Sequence, residues 1–148
     1  MTVGRRRRAR IVALQALYEA DSSCHAPLDA LERIIEAQRV AEEPAEFARG
    51  LIQAVLAKQD EIDQAIAKAA PAWPVEQLAP VDRNVLRLAI GEMLGDNGTP
   101  VRAVINEAVE LAKSFGSEKS AKFVNGVLGS IERERSEQGT GQPTMRRG

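Results

Sequence analysis

Histidine and cysteine each occur once in the 148 residues, as His25 and Cys24, and that scarcity closes off whole classes of chemistry. A zinc site needs several His or Cys ligands, which one adjacent pair cannot supply. A lone cysteine forms no internal disulfide, in keeping with a reducing compartment. Aromatics are nearly as rare: Tyr18, Phe47, Trp73, Phe115 and Phe123 complete the set. With 44% hydrophobic residues, the core must come from Ala, Leu, Val and Ile, a composition that favours helices. No apolar run approaches the ~20 residues needed to cross a bilayer, and the N-terminus lacks the apolar stretch of a secretion signal. The expected location is therefore cytoplasmic. Glycine patterns that cradle phosphates or dinucleotides are missing, so neither a nucleotide cofactor nor a metal is expected. No segment alternates as a strand would.

What is abundant is arginine, in one place. Arg5, Arg6, Arg7, Arg8 and Arg10 crowd the start of a chain whose net charge is −1. With those five set aside, 21 Asp and Glu outnumber the remaining Lys and Arg, so the positive charge is segregated. Segregated charge is a binding signal, and guanidinium groups fit phosphate oxygens and stack on bases. The tract also stands at the incoming end of a helix, where the macrodipole is positive and each exposed cation costs about 0.3 to 1 kcal/mol. The expectation is a self-repelling, fraying start that orders on a polyanion such as RNA. A solvated terminus without a partner is the competing reading.

The rest of the chain reads as helices. Residues 8–20 form the first, with Ile11, Leu14, Leu17 and Tyr18 on one side. A proline followed two positions later by an acid marks four starts: Pro27/Asp29, Pro44/Glu46, Pro74/Glu76 and Pro80/Asp82. Proline suits the first helical position and the acid complements the dipole. These starts predict helices over 28–40, 45–70 and 81–95 and a short turn at 75–79. Asp96, Asn97 and Gly98 make a turn, Thr99 caps the next helix and Pro100 opens it. Its stripe is Val101, Val104, Ile105, Ala108, Leu111, Ala112 and Phe115, at helical spacing. A last helix covers 118–134, and 135–148 is expected to be a disordered polar tail. The fold class is thus all-α: one domain over 1–134, of about six to seven helices in two packed helical groups. They meet across residues 70–80, where Trp73 is expected to anchor the packing.

Catalysis finds little support. Glu107 and Glu110 share a helix face, but Glu110 is placed to pair with Lys113, and the solvated-face reading is preferred. The segment 113–123, KSFGSEKSAKF, interleaves Lys113, Lys119 and Lys122 with Phe115 and Phe123, which suits single-stranded nucleic acid. Phe115 lies on its helix stripe and is read as core; Phe123 sits at the edge of its stripe and is open to either role. Arg10, Leu14 and Tyr18 follow at successive i+4 positions, so Tyr18 stands on a face continuous with the tract. Asn106 and Asn125 are expected to satisfy the backbone or one another, and Gly126 to let the last two helices approach.

Three stretches together resemble the NusB family of transcription antitermination factors. They are RRRARIVALQALYEAD (6–21), VDRNVLRLAIGEML (81–94) and PVRAVINEAVELAKSFGSEKSAKFVNGVLGSI (100–131). The resemblance implies an all-helical fold of two small subdomains and a non-enzymatic role. It implies pairing with NusE, a ribosomal small-subunit protein, and joint binding of the boxA element of nascent RNA, within an RNA polymerase antitermination complex on ribosomal RNA operons. Carried over by position, Arg5, Arg6, Arg7, Arg8 and Arg10 would hold the RNA backbone, and Lys119, Lys122 and Phe123 would complete that surface. Tyr18, Glu76 and Asp82 would face NusE. Family members commonly carry an acid where this chain has Lys119, so its field here should draw phosphate more strongly. Residues 24–45 resemble nothing alignable. A protein-only helical adaptor, a stand-alone relative of the accessory domain of RNA methyltransferases, and a homodimer remain open alternatives.

Overall fold

Seven helices and one short 3₁₀ turn follow one another in the computed structural model, which describes residues 4–147 apart from 96, and side chains as far as 138. In order they are α1 (Arg5–Ser22), α2 (Pro27–Gln38), α3 (Glu42–Ala57), α4 (Gln59–Ala69), the 3₁₀ turn Val75–Gln77, α5 (Pro80–Leu94), α6 (Val101–Phe115) and α7 (Glu118–Arg147). The described residues contain no strand, and none of the helices is long and apolar enough to cross a membrane. Helices α1 to α3 pack on one another; α5 lies against both α1 and α3 and carries α6 and α7, while α4 rests on α5 and α7. Two helical groups therefore share one core. Val12, Leu31, Ile52, Ile62, Ile66, Leu86, Ile90 and Leu128 are fully buried within it, each contributing about 1.5 to 3 kcal/mol by leaving water.

Several expectations are corrected. The single helix over 45–70 is two, broken at Lys58 (φ −130°, ψ 31°), whose amide reaches only Val55 O at 3.3 Å. Neither glycine nor proline marks the break. The heading of α4 is set by its partners: Arg87 of α5 donates to both oxygens of Asp63 at 2.9 Å, and Lys68 pairs with Glu134 of α7. Pro44 lies inside the first turn of α3 rather than opening it, where the missing amide leaves no bond unmade. Trp73 is 58% exposed and anchors nothing. Phe115, the last residue of α6, is 41% exposed because its stripe runs out as the helix ends. Thr99 does not cap α6; Pro100 precedes that helix and no side chain caps it. The last helix continues past residue 134, with 135–138 exposed. Residue 96 of the expected turn, and the side chains of 139–148 in the expected tail, lie outside the described residues.

The close-approach glycine is also not the expected one. A Cβ on Gly126 would meet nothing within 4 Å, whereas one on Gly91 would stand 2.9 Å from Val55 Cγ2, where α5 crosses α3. Val55 is 1% exposed and has no room to yield. Overpacking should cost about 1 to 3 kcal/mol and helix propensity return about 1, so Gly91→Ala is expected to lose about 1 kcal/mol on balance. Gly126→Ala should gain up to about 1 kcal/mol. Urea midpoints of the two variants should move in opposite directions.

Candidate nucleic-acid interface

Helix starts are where backbone amides lack partners, and this chain treats two of its starts unlike the rest. An acid stands in the first turn of α2, α3, α4, α5 and α7. In α1 and α6 there is none, no side chain caps either, and α6 carries Arg102 there instead. Neither end therefore has an acid in its own first turn to offset its positive partial charge. They meet in space. Arg6 Nη1 of α1 donates to Thr99 Oγ1 beside α6 at 3.1 Å, and Arg7 reaches into α6, its Nε and Nη2 donating to the two oxygens of Glu107 at 3.0 and 2.9 Å. Between them opens a groove of about 640 Å³, lined among others by Arg5, Arg6, Arg7, Thr99 and Ala103. Arg7 and Glu107 also line a second groove of about 600 Å³, together with Lys122 and Asn125 and the acids Glu110 and Glu118. The two grooves make one strip across α1, α6 and α7.

The tract is helical from Arg5 onward, and the fold offers its arginines partners of their own. Arg5 pairs with Glu43 of α3 at the surface. Arg8, half-buried, donates to Gln38 O at 3.3 Å. The Arg7 guanidinium is held more firmly protonated by the hydrogen bond and charge of Glu107, and Arg7 in turn holds the Glu107 carboxyl below its usual range. Arg10 departs most. Expected on the RNA-facing surface, it is 6% exposed, and its Nε and Nη2 donate to both oxygens of Glu92, itself 5% exposed. The phase explains it: Arg10 shares its helix face with the buried Ala13, Leu14 and Leu17, and Glu92 shares one with Val85, Leu88 and Ala89. Arg6 and Arg10 both lie over the Phe47 ring, at 4.7 and 5.5 Å from its centroid, each contact a cation–π attraction.

The remaining candidates divide. Lys119 and Lys122 are exposed at the start of α7, where Ser117 Oγ accepts the Ser120 amide at 3.1 Å as an N-cap. Phe123 is half-buried and packs against the core. Asn106 and Asn125, expected to satisfy the backbone or one another, are both exposed beside the α6/α7 groove.

Of the three residues expected to face NusE, Glu76 gives its carbonyl to a knot at Asp21, Asp82 adjoins that knot in sequence and Tyr18 lies about one helical turn before it on α1. Arg83 donates to Asp21 Oδ2 from Nε and Nη2 at 2.8 and 2.6 Å, and from Nη1 to the carbonyls of Val75, Glu76 and Leu78. Asn84 Nδ2 adds a bond to Asp21 Oδ2 at 2.9 Å. This knot, not Trp73, closes the seam between the helical groups. Tyr18 is 44% exposed and Glu76 exposed. Asp82 Oδ1 is buried, with no donor reaching it among the described residues.

Burial pushes the Asp21 carboxyl up, but the hydrogen bonds from Arg83 and Asn84 and the Arg83 charge outweigh it, so it titrates below its ordinary value. A carboxyl depressed in the folded state adds stability above the unfolded pKa, near 4, and loses it as pH falls through the folded value. Unfolding midpoints should accordingly hold level above about pH 5 and decline below about pH 4. Asp21→Asn should flatten that decline.

Residues 7–133 match the NusB family model. The transcription antitermination protein NusB of Dehalococcoides mccartyi is 51% identical over 128 residues, spanning 86% of this chain and 90% of that protein. The T. maritima NusB structure superposes with a TM-score of 0.82 at 36% identity, covering 90% of this chain and 94% of the other. A crystal structure of the antitermination factors NusB and NusE in complex with double-stranded RNA is similar at a TM-score of 0.81 and 30% identity, covering 88% of this chain and 97% of that one. The chain belongs to the NusB family.

Proposed function

We propose that this chain is a transcription antitermination factor that binds boxA-type RNA jointly with the ribosomal protein NusE, and so helps RNA polymerase through ribosomal RNA operons. The observation that carries the reading is the meeting of two uncapped, acid-free helix starts with Arg5, Arg6, Arg7 and Thr99 around one groove. Free amides at a helix start and guanidinium forks both suit phosphate oxygens. Arg5, Arg6, Arg7 and Arg8 are assigned to the RNA backbone, Lys119 and Lys122 to the continuation of the strip, and Phe123 to its edge. Arg10 serves from beneath, by holding Glu92. Tyr18, Glu76 and Asp82 are assigned to NusE, with Asp82 Oδ1 an acceptor awaiting a donor. The related NusB assembles with NusE and RNA in its own crystal structure, which supports the reading.

Mixing the chain with NusE and a boxA RNA should yield a ternary species that survives competition from unrelated RNA. If RNA binding by NusE is the same with and without this chain, the reading fails and a protein-only adaptor takes its place.

A further inference from the structure

We propose that Glu92 and Asn97 are positioning residues for RNA binding: a chain of hydrogen bonds runs from the buried Glu92 carboxylate through the α5–α6 loop to the exposed Arg6. The inference rests on the RNA reading above and adds to it what holds the groove in shape.

The chain can be followed atom by atom. Glu92 Oε2 accepts from Asn97 Nδ2 at 3.0 Å while the same carboxylate receives Arg10. Asn97 Oδ1 accepts the Thr99 amide at 3.0 Å, an Asx turn that folds the loop on itself. Thr99 Oγ1 then accepts Arg6 Nη1 at 3.1 Å. Arg6 and Arg10 return to a common point over Phe47, so the chain closes on itself. Gly98 lies within it at φ 81°, a left-handed conformation that glycine adopts freely.

This arrangement fixes things that local sequence does not. A loop containing glycine is mobile unless tied, and Asn97 ties it twice, to Glu92 and to Thr99. Arginine side chains have many rotamers; one already held in place loses less freedom when it meets a phosphate. Thr99 holds Arg6, Asn97 holds Thr99, and Glu92 holds Asn97. Loss of the outer links should therefore act on RNA affinity through Arg6 while leaving the core untouched.

The test is binding of a labelled boxA RNA to the full chain with saturating NusE, over a range of salt, for Asn97→Ala, Thr99→Val, Thr99→Ser, Arg6→Ala and the Asn97→Ala/Arg6→Ala double variant. Asn97→Ala and Thr99→Val should each weaken binding about fivefold and reduce the magnitude of the log–log salt slope by about 0.7, the share of one phosphate on a single strand. Thr99→Ser, which keeps the hydroxyl, should bind within about twofold of the parent. The double variant should bind no more weakly than Arg6→Ala alone, because both changes remove the same contact. The thermal midpoint of Thr99→Val should be unchanged, which guards against the stability that Asn97→Ala loses when the buried Glu92 gives up a donor. Parental binding by Asn97→Ala and Thr99→Val, or losses that multiply with Arg6→Ala, would overturn the positioning role while leaving the RNA reading intact. If the parent chain itself holds no RNA, the RNA reading fails and takes this role with it.

Discussion

Alanine at Arg10 is expected to be the most damaging single change in the tract, costing about 3 to 5 kcal/mol of folding stability. The reason is Glu92: its carboxylate is 5% exposed and loses a bidentate partner, leaving a charge that water cannot reach. Set against a whole-domain stability of about 5 to 15 kcal/mol, that loss should lower the thermal midpoint by roughly 10 °C. Replacing both partners with apolar residues, as in Arg10→Met with Glu92→Leu, should recover stability to within about 1 kcal/mol, since a buried ion pair is a weak source of net stability. Thermal melts of the two variants check the prediction. Equal mild losses in both would mean the pair is solvated.

Alanine at Arg5, Arg6 and Arg8 together is expected to do the reverse. Arg5 and Arg6 are exposed and Arg8 half-buried, and their described partners are one surface acid, one hydroxyl, one carbonyl and, for Arg6, the Phe47 ring. Surface contacts of this kind contribute about 0 to 1 kcal/mol, and removing three cations from a positive helix start offsets even that. The midpoint should move by no more than a few degrees. Affinity for boxA RNA should fall by roughly 100-fold at moderate salt, as three phosphate contacts are lost. Arg7 is left in place because Glu107 ties it to α6, so its removal would mix structure with binding. A triple variant that binds RNA as the parent does would take the tract out of the interface.

Most helices are legible from their starts: Pro27 with Asp29 and Pro80 with Asp82 open α2 and α5 as their chemistry demands. The break at Lys58 is not legible, because Val55, Ile62 and Ile66 keep helical phase across it and no residue there opposes a helix. It arises from what α4 packs against. The tract illustrates both sides. Its charge is visible at once, yet charge alone treats five arginines as equals, while the fold sends Arg10 inward and ties Arg7 to α6. The clue to Arg10 lay in its phase with Ala13, Leu14 and Leu17, and the clue to its partner in a lone acid amid the apolar face of α5. Those two signals are 82 positions apart and mean little singly. Asn97 carried no signal beyond that of a turn residue, and its tie to Glu92 exists only once α5 has formed. Trp73 erred the other way: a large apolar ring was read as an anchor, but the polar knot of Asp21, Arg83 and Asn84 does that work and leaves the indole in water.

The proposed grip on phosphate, by guanidinium groups and free helix amides along one strip, is central to the function. Its most direct test is the affinity of the chain, with NusE, for boxA RNA as salt is raised. Neutralising roughly three to five phosphates of a single strand, at about 0.7 each, predicts a log–log slope between about −2 and −3.5. A slope near zero would contradict it.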